Sequence, residues 1–106
     1  MAKQIISKEA IEATDMALRE AMQQVIGEGW QNAQDAIERA YSIISKEKTG
    51  YLPSEVLLFQ VQDRLNSMRS LVNATFQQQC MTDIAVCIEI LRCLWLIECR
   101  VHPGWN

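Results

Sequence analysis

Ile84-Ala85-Val86-Cys87-Ile88-Glu89-Ile90-Leu91-Arg92-Cys93-Leu94-Trp95-Leu96-Ile97-Glu98-Cys99 decides how this chain is read, because thirteen of its sixteen residues are apolar and neither Gly nor Pro interrupts it. A helix that is apolar around most of its circumference must be covered on most sides. The sequence therefore predicts a helix over 82–100, with Thr82-Asp83 as its start. It also predicts more apolar surface than three companion helices can cover.

Working back from this segment, Leu58, Val61, Leu65, Met68, Val72 and Phe76 repeat at three and four residues, widened by Leu57 and Leu71. That period predicts a helix over 53–78, a rod of roughly 39 Å at ~1.5 Å per residue. Leu52-Pro53-Ser54-Glu55 starts it, since proline at the first helical position loses no intrahelical hydrogen bond. Gln77-Gln78-Gln79-Cys80-Met81 holds no Gly or Pro. A continuous helix through it is one reading. A break at 79–82 is the other and is preferred, because a continued seam would carry Gln79 and Asp83.

The N-terminal half shows the same period. Ile11, Leu18, Met22 and Val25, with Ala10, Ala13, Ala17 and Ala21 beside them, predict a helix over 8–26. Ser7 caps its start, and Gly27 and Gly29 are placed to supply a left-handed residue at its end. Trp30, Ala33, Ile37, Ala40, Tyr41 and Ile44 predict a helix over 30–48, begun by Asn32 with Asp35 or by Gly29 and ended by Thr49-Gly50 after Lys46 and Lys48. The short link makes these two helices antiparallel neighbours. The fold class is all-α: a four-helix-bundle-like single domain of residues 1–106, paired as a homodimer that covers the surplus apolar surface. The contact is expected on the last helix, through Ile84, Ile88, Leu91, Leu94 and Trp95, and on part of the third.

Composition narrows the function classes. The 106 residues are 49% hydrophobic and 22% charged, with a formal net charge of −3. Residues 1–50 hold six Lys/Arg against eight Asp/Glu and residues 51–106 hold four against five, so neither half is a basic arm or an acidic tail. The first residues carry no apolar leader-like run, and no 18-residue stretch lacks charge. A cytoplasmic protein without membrane association is expected.

No catalytic set emerges. Cys80, Cys87, Cys93 and Cys99 are spaced seven, six and six apart, and at 100° per residue the last three point in three directions. They are read as small buried hydrophobes, with Cys80, beside the expected loop, as the exposed thiol. His102 is the single histidine, in a Val101-His102-Pro103-Gly104-Trp105-Asn106 tail without an adjacent acid. Glu89 and Glu98, nine apart, lie on opposite faces of one helix, whereas Glu89 and Arg92 share one. Neither a metal nor a cofactor is expected, and the chain reads as a non-enzyme. Direct nucleic-acid binding wants clustered cations, and the second helix offers only Arg39 against Asp35 and Glu38.

What remains is binding to another protein. Phe59 lies one step off the Leu58 seam, grouped with Tyr51, Leu52 and Val56 and flanked by Glu55 and Gln62. An apolar centre with a polar rim suits a partner surface. The edge near Glu28 and Trp30 is a second candidate. In length, acidity and a closing Leu/Cys-rich helix, Ile90-Leu91-Arg92-Cys93-Leu94-Trp95-Leu96, the chain resembles the small bacterial anti-activators of a quorum-sensing transcription factor. That resemblance, one of size and layout, implies stoichiometric inhibition of a transcription regulator by masking a surface it needs. A small DNA-binding regulator and a scaffold subunit are the alternatives.

Overall fold

A computed structural model describes residues 6–47 and 53–101. These residues form α1 (Lys8–Ile26), α2 (Trp30–Ile44), α3 (Pro53–Met68) and α4 (Gln77–Val101), with a 3-10 turn at Ala74–Phe76 leading into α4 and no strand among the described residues. The chain is an all-α bundle. α1 lies between α2 and α4, and α3 closes the ring between α4 and α2.

Cross-helix contacts set the directions. Arg39 of α2 reaches back to Glu20 of α1, Arg64 of α3 reaches Asp83 of α4 at 3.1 Å, and the Lys8 ammonium stands 5.6 Å from the Trp95 ring centre. The end of α3 thus meets the start of α4, the start of α1 meets the later part of α4, and α2 folds back along α1 over a short turn, the up-and-down arrangement of short-looped bundles. α1 and α2 bury Ala10, Ala17 and Ala21 with Ala33, Ala36 and Ala40, small side chains that let two axes approach closely. Leu18, Ile37, Ile44, Leu58, Leu65, Met68, Ile84, Leu91 and Leu94 fill the centre.

α1 starts as its sequence dictates, with the Ser7 hydroxyl accepting from the Ala10 amide at 3.0 Å. Its end departs from expectation. Gly27 and Gly29 keep φ values of −83° and −84°, and Glu28 between them takes the left-handed conformation at φ 62°. The turn needs one left-handed residue, and it falls on the position between the glycines.

Two boundaries move. α2 stops at Ile44 rather than 48, because the Gln62 side-chain amide of α3 donates to the Ile44 carbonyl at 2.6 Å and to that of Glu47 at 3.3 Å. The expected stop at Thr49-Gly50 lies outside the described residues. α3 ends at Met68, so the rod is 16 residues long, and the break falls at 69–76 rather than 79–82. Arg69 holds the corner: its guanidinium donates to Glu38 at 2.9 Å and lies 4.3 Å above the Tyr41 ring. Val72 then turns into the core, and the Asn73 side chain accepts from the amides of Thr75 and Phe76, starting the next helix where Thr82-Asp83 was expected to. α4 gains five residues at its front and runs for 25.

Candidate functional site

Two grooves flank α4. The first, about 500 Å³, lies between α1 and α4. Ile11, Ile88, Leu91 and Trp95 form its apolar part, and Glu12, Asp15, Arg19, Glu89 and Arg92 its charged part. Arg19 is held by Asp15 at 2.8 Å, and that hydrogen bond, with a smaller contribution from Glu89 across the groove, raises the guanidinium above its ordinary range. Glu89 and Arg92, expected within pairing reach, form no ion pair with each other.

The second groove, about 550 Å³, runs between α3 and the front of α4. It is polar, lined by Gln60, Asp63, Arg64, Ser67, Gln79 and Asp83, with the Phe59 ring as its one large apolar wall. Phe59 is 54% exposed and Val56, one turn earlier, 40%. Helix geometry explains this. Leu58, Val61 and Leu65 face inward, which turns positions 56, 59 and 63 to the outside.

Among the other expected partner-binding residues, Glu55 and Trp30 are half-buried, Trp30 packing against the core at the start of α2. Tyr51 and Leu52 lie outside the described residues, as do His102 and Trp105. Of the residues expected between two copies, Ile84, Leu91 and Leu94 are at most 1% exposed and belong to the protomer's own core. Ile88 and Trp95 are half-buried on the α1–α4 groove. The surplus apolar surface of α4 lies elsewhere, at Leu96 and Val101, which are exposed, and at the half-buried Val86 and Ile97.

All four cysteines are free thiols, and their exposure reverses one expectation. Cys80 is buried, its thiol donating to the Leu71 carbonyl at 3.1 Å, because the earlier break places it in the first turns of α4 facing inward. Cys93 is the exposed one. Burial pushes the Cys87 thiol up to about 12, with Asp83 adding to the rise and Arg64 opposing it. Burial also raises Cys80, again with help from Asp83. A raised thiol is a poor nucleophile. Among the described residues no group of three or more His, Cys, Asp or Glu is placed to hold a metal ion, and no helix is long and apolar enough to cross a membrane.

Four of the eight Lys and Arg among the described residues sit against carboxylates: Arg19 on Asp15, Arg39 on Glu20, Arg64 on Asp83 and Arg69 on Glu38. Each pair would have to open before its arginine met a phosphate. No family model, curated protein or solved structure matches the chain.

Proposed function

We propose that this chain is a non-enzymatic helical interaction protein that binds a partner protein and inhibits it by covering a surface the partner needs. The observation that carries the reading is Phe59, a ring 54% exposed on the outward face of α3 beside the Gln60, Asp63, Gln79 and Asp83 rim. An aromatic anchor with hydrogen-bonding groups around it is the form in which binding energy concentrates. Cations outnumbered by carboxylates in both halves of the chain, half of the described ones already beside a carboxylate, favour a protein partner over nucleic acid. The resemblance in size and layout to small anti-activators points to a transcription regulator as the partner and to stoichiometric inhibition.

The test is capture from a bacterial lysate on the immobilised wild-type chain and on Phe59→Ala, followed by titration of the retained protein. Phe59→Ala is expected to weaken that complex by about 1 to 3 kcal/mol. Equal retention by both chains places the partner surface elsewhere. Salt-sensitive binding of random duplex DNA, with no protein retained, replaces the reading with that of a DNA-binding regulator.

A further inference from the structure

α4 carries two seams. The inner one, Cys80, Ile84, Cys87, Leu91, Leu94 and Glu98, is buried against the other helices. On the opposite side Ala85, Glu89, Cys93, Leu96 and Arg100 recur at four, four, three and four residues, and all five are exposed. At 100° per residue they fall within an arc of about 80°. Val86 and Ile97, both half-buried, border this stripe.

The order of side chains along the stripe is what identifies its occupant. Laid antiparallel against itself, with a two-fold axis at the level of Leu94 and Trp95, the stripe sets Glu89 opposite Arg100 of the second copy and Cys93 opposite Leu96 of the second copy. By symmetry each contact occurs twice. The result is two opposite-charge pairs flanking an apolar centre of two leucines and two thiols. Among the described residues neither Glu89 nor Arg100 takes part in an ion pair, Glu89 acting on Arg19 only through its field across the α1–α4 groove. From Glu89 to Arg100 the stripe is thus complementary to itself in charge and in its apolar centre, as an isologous contact requires.

We propose that a second copy of this chain covers the outward stripe of α4 in this antiparallel register, forming a homodimer whose seam is Glu89, Cys93, Leu96 and Arg100. The buried Ile84, Leu91 and Leu94 take no part. One helix pair buries less than the roughly 800 Å² per partner of a standard interface, so the dimer is a weak one, in the micromolar-to-millimolar range. This places self-association on α4 and leaves the Phe59 face of α3 open.

Sedimentation equilibrium of the full chain from about 5 μM to 1 mM spans that range. A monomer–dimer equilibrium is expected. Leu96→Asp, on a side chain already 57% exposed, should abolish it while the circular dichroism spectrum and melt stay unchanged. Glu89→Arg and Arg100→Glu should each weaken the dimer about tenfold or more, by setting like charges opposite each other, and the double variant should return to within about threefold of wild type. Phe59→Ala should leave the dimer as it is, which keeps this test separate from partner capture. A monomer at every concentration overturns the proposal, as does a dimer indifferent to Leu96→Asp. Failure of the double charge exchange to restore association overturns the register.

Discussion

The side-chain amide of Gln77 donates to the backbone carbonyl of Val25 at 2.9 Å, across 52 residues of sequence. The first residue of α4 thereby adds a second hydrogen bond to the Val25 carbonyl, which also accepts from the Glu28 amide at 3.2 Å in the turn that ends α1. Replacing Gln77 with Ala removes a partly buried hydrogen bond. It is expected to cost about 1 kcal/mol, read as a lower urea midpoint with an unchanged slope. Gln79, exposed and without this contact, should tolerate the same change.

That contact also shows where the sequence stops being legible. The four helices, the Ser7 cap and the inward positions of α1 and α2 follow from residue period and local capping chemistry, which are properties of neighbours in sequence. The ends of α2 and α3 do not. Gln62 terminates α2 from α3, and Arg69 anchors the α3 corner on Glu38 and Tyr41, so each boundary is set by a residue elsewhere in the chain. Val72 continues the three-four period across the break, which is why the period alone overran it. Asn73 was the local signal available, as a capping residue with an open chain of amides behind it. The misplaced break carried Cys80 with it. Phe59 was legible because a residue one step off a seam must turn away from it.

Glu28 offers a gain in stability. A side chain at φ 62° suffers a steric penalty that glycine does not, partly offset by the greater freedom glycine has when unfolded. Glu28→Gly is expected to raise stability by about 0.5 to 1 kcal/mol, measured by chemical denaturation. A loss would mean that the Glu28 side chain contributes more to the α1–α2 turn than its backbone costs.

Leu94 and Phe59 sit on the two kinds of surface that the helices present, the first fully buried and the second 54% exposed. Leu94→Asp places a charge in an apolar core and should cost more than about 4 kcal/mol, enough to unfold a domain of this size. Phe59→Ala should change stability by no more than about 0.5 kcal/mol. Paired thermal melts decide both, and a large loss in the Phe59 variant would assign that ring to the core instead of to a partner.

Cys87 makes stability depend on alkaline pH. An unfolded thiol ionises near about 8.5, while burial holds the folded one protonated up to about 12. The folded value is the higher of the two, so the thiol's contribution is fully present below about 8.5 and is lost as the pH rises from there through about 12. Within that window the unfolded chain gives up a proton that the folded chain keeps, and each pH unit costs about 1.4 kcal/mol from this group. Cys87→Ala lacks the group and leaves a small cavity, so the variant should be less stable than wild type at pH 7. Its disadvantage should shrink steadily between pH of about 8.5 and 10.5. Urea titrations of both chains with reductant present provide the measurement. Parallel pH profiles would show that the Cys87 thiol ionises as readily in the folded chain as in the unfolded one.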